Sequence, residues 1–160
     1  MLELLRDFTL KALGHLLPFA VAWFYKPEKI AADVKFRVRG DGDGVTYEGG
    51  ELPKVRIWFL VSNLSPFKVE IDRMVIQLSF GSVIEEIAHI RKHEVGPSKE
   101  VEFLVETTLN SAQVAFIQKN LPQRLETKLY VAAFLNTKLH NFESVVHVST
   151  SNVRMVNYAL

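Results

Sequence analysis

The sequence predicts an all-β protein built as an antiparallel sandwich, with a hydrophobic helix ahead of it and one short helix inserted in it. Three observations carry that class. From Ile30 onward apolar residues return at every second position, the period of a strand with one face on a core. Roughly six to eight apolar runs are bounded by Gly, Asn, Ser and Pro, without the regular alternation of strand and long helix that a parallel sheet requires. Before Ile30 the period is helical. The chain therefore divides into an N-terminal segment, residues 1–29, and one sandwich domain, residues 30–160. A chain of this length buries roughly two-thirds of its unfolded surface, enough for one core.

The first segment, "MLELLRDFTLKALGHLLPFAVAWFY", places Glu3, Arg6, Asp7, Lys11, Gly14 and His15 on one arc of a helical wheel and Leu5, Phe8, Ala12, Leu13, Leu16 and Leu17 on the other. Past Pro18 the polar arc vanishes, and Lys26-Pro27 closes the run. A cleaved signal peptide needs an unbroken apolar stretch and small residues at the cut, whereas His15 and Pro18 interrupt this one. A full membrane span needs about 20 apolar residues, and Ala12 to Tyr25 reaches only about 21 Å as a helix. Two further readings are an interfacial helix with an aromatic belt and a helix packed on the domain or on a partner chain. The interfacial reading makes Leu13, Leu16, Leu17, Phe19, Val21, Trp23, Phe24 and Tyr25 the membrane-contact residues. Arg6 and Lys11 on one side of the run face Lys26 and Lys29 on the other, so charge does not assign the side of the membrane.

In the domain, "ADVKFRVR" puts Val34, Phe36 and Val38 on one face and Lys35, Arg37 and Arg39 on the other. "KVRIWFLV" repeats the pattern with Val55, Ile57, Phe59 and Val61, and its second face carries Trp58 and Leu60, as a central strand would. In "FKVEIDRMVIQLSF" the apolar parity shifts by one at Asp72-Arg73, which requires a bulge or a break. Gly81-Ser82 supplies a turn, and "KEVEFLVET" and "LETKLYVAAFL" alternate cleanly. Between them Asn110 or Ser111 caps a short helix whose Val114, Ala115, Ile117 and Leu121 fall near one stripe before Pro122 stops it. "FESVVHVSTSNVRMV" reads as one long or bent final strand.

"FLVSNLSPFKVEI" interrupts a strand pattern with Asn63, Ser65 and Pro66. Proline cannot donate to a central ladder and Asn tolerates turns, so "NLSPF" marks a corner where one strand ends and the next begins. That corner, followed by Gly81 with "SVIEE", then "HEVGPSKEVEFLVET", a short helix and "ETKLYVAAFL", resembles the late embryogenesis abundant type 2 proteins, the water-stress and hypersensitive-response (WHy) domain, over roughly residues 30–158. The family's Asn-Pro-Asn-aromatic corner is matched by Asn63, Pro66 and Phe67, with one residue more between Asn and Pro than usual. The resemblance implies an immunoglobulin/fibronectin III-like sandwich of about seven strands, no enzymatic activity, and a hydrophobic segment ahead of the domain.

The chemistry legible in the residues is sparse. Lys and Arg total 19 against 18 acidic residues, a net charge of +1 that provides no field for nucleic acid. There is no Cys, hence no disulfide, thiolate zinc site or cysteine nucleophile. "RGDGDG" (Arg39 to Gly44) lacks the acid register of a calcium loop, since Val45 stands where a third ligand belongs, and reads as a Gly-rich connection. "EEIAHIRKHE" would bring Glu85, Glu86, His89 and His93 to one face of a helix, but as a strand it holds His89 and His93 about 13 Å apart, too far for one ion. No nucleophile elbow or phosphate loop appears, and His140 and His147 read as surface or packed residues. The basic face Lys35, Arg37 and Arg39 could touch lipid phosphates or be an ordinary solvated face.

The expectation is a non-enzymatic, membrane-associated binding or protective module, without cofactor, metal or nucleic-acid partner, that meets a membrane surface or lipid through its N-terminal segment. The alternatives are an assembly subunit whose N-terminal helix packs on another chain, including a second copy of itself, and a lipid-binding β-sandwich.

Overall fold

The computed structural model describes residues 23–40, 44–120, 127–150 and 153–157. In chain order the elements are α1 (Pro27–Asp33), β1 (Val34–Val38), β2 (Val45–Glu48), β3 (Lys54–Asn63), β4 (Val69–Phe80), β5 (Ser82–His89), β6 (His93–Val95), β7 (Lys99–Thr108), α2 (Ser111–Asn120), β8 (Thr127–Asn136), β9 (Asn141–Thr150) and β10 (Val153–Val156). The strands form two five-stranded sheets, one of β1, β2, β3, β7 and β10 and one of β4, β5, β6, β8 and β9. Their facing side chains make one core, so the protein is a β-sandwich.

The two sheets share a plan. Each has a long central strand paired along one edge with a single long neighbour, β3 with β7 and β4 with β8. The other edge is shared end to end by two short strands. Along β3, β2 lies opposite Lys54–Ile57 and β1 opposite Phe59–Asn63. Along β4, β6 lies opposite Val69–Ile71 and β5 opposite Met74–Phe80. This sharing, together with the division of the last apolar run into β9 and β10, is why the described residues carry ten strands where the sequence predicts about seven.

Burial follows the period of two. In β3, Val55, Ile57, Phe59 and Val61 are fully buried, each contributing on the order of 1.5–3 kcal/mol over an exposed side chain. In β4 the buried positions are Val69 and Ile71, then Met74, Ile76, Leu78 and Phe80. The shift falls where the pairing with β8 passes from Ile71 and Leu135 to Arg73 and Phe134, leaving Asp72 as the extra residue of the bulge.

Three expectations are corrected. Residues 30–33 are helical and the first strand starts at Val34, because Pro27 does not only end what precedes it but opens α1 at its first turn, where a missing N–H costs nothing. Ile30 of that helix is buried in the core. Between the first two strands read from the sequence lies a further one, β2, with Val45 and Tyr47 buried, in line with β1 along β3. At the jog, Arg39 N donates to Trp58 O at 3.0 Å and Trp58 N to Gly44 O at 2.8 Å, and a Cβ at Gly44 would overlap Arg39 O. Residues 41–43 of "RGDGDG" lie outside the described residues. Finally, the last apolar run is two strands in different sheets: β9 pairs with β8, and β10 pairs parallel to β2 through Val45 and Val153.

Candidate functional site

The corner between β3 and β4 carries the chain from one sheet to the other. Asn63, fully buried, holds it together. Its Nδ2 faces three carbonyls, donating to Phe67 O at 2.7 Å, Val95 O at 3.0 Å and Gly96 O at 3.1 Å. Its Oδ1 accepts from Ser65 N at 3.0 Å and Ser65 Oγ at 2.7 Å. A buried amide with every group occupied is tolerated where an orphaned one is not. Leu64 N donates to Asp33 O at 2.9 Å, tying the corner to the end of α1. Pro66 sits in the turn between the bonded residues, where no ladder donor is needed.

The N-terminal segment enters at this same end. Tyr25 packs edge-on against Phe67, with ring centres 5.0 Å apart and an interplanar angle of 86°. Lys29 Nζ stands 4.7 Å over the Tyr25 ring, and His140 Nε2 lies 3.0 Å from Tyr25 O. Two groups singled out separately in the sequence, the aromatic belt and the corner, are thus joined through Tyr25 and Phe67. Trp23 and Phe24, a helical pair with ring centres 5.3 Å apart, are 72% and 66% exposed. Leu13, Leu16, Leu17, Phe19 and Val21 lie outside the described residues. No helix among the described residues is long and apolar enough to cross a membrane.

Beside α1 a groove of about 570 Å³ runs between β1 and β9, lined in part by Ala31, Val34, Phe36, Phe142 and Val146. Among the described residues β1 pairs only with β3 and β9 only with β8, so within that set both present an edge of backbone groups toward this side of the sandwich.

On the opposite side, where β7 meets β5 and β6, the expected separation of the two histidines is overturned. The strand breaks at residues 90–92, and β5 and β6 close up along β4, with His89 opposite Met74 and His93 opposite Ile71. His89 Nε2 and His93 Nε2 are 2.9 Å apart. The rings lie 11° from parallel, and both rest over the buried Phe103, His93 at 4.1 Å between centres and His89 at 5.7 Å. Burial, Arg91 and, for His93, the neighbouring His89 hold both imidazoles below the usual histidine range. Glu86 and Glu85 are not part of the group: Gln77 Nε2 donates to Glu86 at 3.1 Å, and Gln113 Nε2 binds Glu85. Among the described residues no set of three or more His, Cys, Asp or Glu is placed to hold a metal ion.

The basic face of β1 is largely neutralised across the sheet. Arg37 pairs with Glu100 at 2.6 Å and Arg39 with Glu102 at 2.8 Å. Beyond them Arg56 bridges Glu106 at 2.6 Å and Glu48 at 2.5 Å. The sequence hides these pairs because the acids come from β7, some 60 positions later, as the 63-residue separations of the Arg37 and Arg39 bonds show. His147 stacks edge-on with Tyr130 at 5.0 Å on the outer face of the second sheet.

No family model and no curated protein sequence matches the chain. Among solved structures the fold is similar to a solution structure assigned provisionally to the late embryogenesis abundant (LEA) proteins, at 12% identity over 90% of this chain and 83% of the other, with a TM-score of 0.48. It is also similar to a protein from Archaeoglobus fulgidus, at 11% identity over 73% and 90% of the chains and a TM-score of 0.45. A third is a protein provisionally described as ApaA from Bordetella pertussis, at 10% identity over 78% and 92% and a TM-score of 0.43. These identities are too low to extend the likeness to any single residue.

Proposed function

We propose that the protein is a non-enzymatic, membrane-associated binding module in which the N-terminal segment meets the lipid surface and the sandwich is held beside it. The observation that carries this reading is the exposed Trp23-Phe24 pair immediately before an anchored Tyr25. Two large aromatic rings directed into water are costly unless they are covered, and Trp at the end of an apolar run suits the headgroup layer. Anchoring through Tyr25, Phe67 and His140 gives the segment a fixed point of departure from the domain. A protective role at stressed membranes, as the family resemblance implies, is the physiological extension of this reading.

The test is co-sedimentation of the full chain with phosphatidylcholine vesicles, with and without phosphatidylserine, beside a chain starting at Trp23 and the Trp23→Ser/Phe24→Ser variant. The full chain is expected to pellet with vesicles and to blue-shift its Trp emission, and both altered proteins are expected to lose most of that binding. Equal binding by all three would refute the reading.

A second reading, an assembly subunit, is favoured by the groove between the one-sided strands β1 and β9. It predicts an oligomer in sedimentation velocity that dissociates when Val145, 48% exposed on β9, is replaced by Lys.

A further inference from the structure

The contact between His89 and His93 offers a ligand site that the linear sequence conceals. With the two Nε2 atoms 2.9 Å apart and the ring centres 5.2 Å apart, both nitrogens must lie close to the line joining the centres, since any bend would draw the centres nearer. The imidazoles therefore face each other nitrogen to nitrogen, in a nearly common plane. A tetrahedral zinc site needs three or four protein ligands, and the described residues offer no third His, Cys, Asp or Glu here. Two neutral, collinear nitrogen donors suit an ion that accepts two ligands in a straight line, and imidazole is a good ligand for copper.

Charge selects in the same direction. Arg91 adds positive potential at both rings, while Glu85 and Glu86 are engaged elsewhere, so a dication is disfavoured more than a monocation. The face of Phe103 beneath the pair adds a weak attraction for any cation. We propose that His89 and His93 form a two-coordinate site for a monovalent d10 metal ion, Cu(I), held between their Nε2 atoms. Metal–imidazole bonds of about 2 Å placed end to end span about 4 Å, so the rings must part by about 1 Å. His89 ends β5 and the adjoining Ile90 is 82% exposed, which leaves the connection to β6 room to adjust. Binding replaces the Nε2–H···Nε2 hydrogen bond with two Nε2–Cu bonds. The displaced proton passes to Nδ1 of its own ring, so at pH 8 no proton is released, and no electron is transferred.

The experiment is an anaerobic titration of the full chain with Cu(I) in competition with bicinchoninate, accompanied by nitrogen-15 NMR of the imidazoles with Ag(I) as a redox-inert probe. One equivalent of Cu(I) is expected, weakened at least tenfold in both His89→Asn and His93→Asn and tightened in Arg91→Ala, which keeps both ligands. Ag(I) is expected to move the Nε2 resonances of His89 and His93 together. The NMR measurement on the unaltered chain decides even where an Asn variant does not fold. Equal Cu(I) affinity in the unaltered chain and both folded Asn variants, or an Ag(I) shift confined to one of the two rings, overturns the assignment.

Discussion

Asn63 shows how one side chain makes a fold junction specific. Its amide joins the end of β3 to Phe67 in the corner and to Val95 and Gly96 at the end of β6. Asn63→Ala orphans several buried groups at once and is expected to cost about 3 kcal/mol, read as a lowered urea midpoint at unchanged slope. Asn63→Asp keeps the shape but sets a carboxylate against three carbonyls. It should be at least as damaging at pH 7, and a stability equal to the parent chain would show that shape alone matters there. The residue type was readable, since an Asn between strand-period residues and a following Pro announces a turn. Its partners were not, because Val95 and Gly96, at and just past the end of β6, lie 32 and 33 positions away.

Among the elements, α2 is secured by a capping box. Asn110 Oδ1 accepts from Gln113 N at 2.9 Å, and Gln113 Oε1 accepts from Asn110 N at 2.7 Å. The same Gln113 reaches β5, donating through Nε2 to Ile84 O at 2.8 Å. Gln113→Ala removes both the box and the tether, with an expected loss of about 1–2 kcal/mol and faster amide hydrogen exchange over residues 111–120. A loss of stability without that local change in exchange would detach the cap from the helix. The cap was legible as a choice between Asn110 and Ser111; the tether was not, because it depends on α2 lying over β5.

The outer face of the first sheet sets an acid limit of its own. A hydrogen bond from Arg56 holds Glu106 below the usual carboxylate range, and bonds from Ser62 and Arg37 do so for Glu100. On the second sheet, Lys92 and Asn136 do the same for Glu70. Each is lower in the folded chain than the ordinary value of 4.5. Their contribution is therefore present above that value and is lost as pH falls through the lowered ones. The urea midpoint should decline in that window, and less steeply in Glu106→Gln. The groups are exposed, so added salt should flatten the decline.

At the scale of the whole molecule, the described part of the N-terminal region is tied to the sandwich at Tyr25 and at the buried Ile30. A chain starting at Trp23 retains both and should unfold at nearly the same urea concentration as the full chain. Starting at Ala31 deletes a fully buried Ile and the ring on Phe67, with an expected cost of at least about 2–4 kcal/mol. Equal stability of the two shortened chains would remove α1 from the domain. This comparison is independent of vesicle binding, so fold and membrane contact can be judged apart.

What the amino-acid order determined by itself is the period of burial: which strand faces are apolar, where β4 shifts phase at Asp72-Arg73, and where the chain must turn at Asn63 and Pro66. Those are local properties, since a pleat reverses side chains at every residue and a turn is written in the few residues that make it. Only the tertiary structure decided which edges meet. It laid β5 and β6 end to end on β4, bringing His89 against His93, and it matched the arginines of β1 to glutamates of β7. Pairing between distant strands depends on complementary surfaces and closure of long loops, which no short stretch of sequence contains.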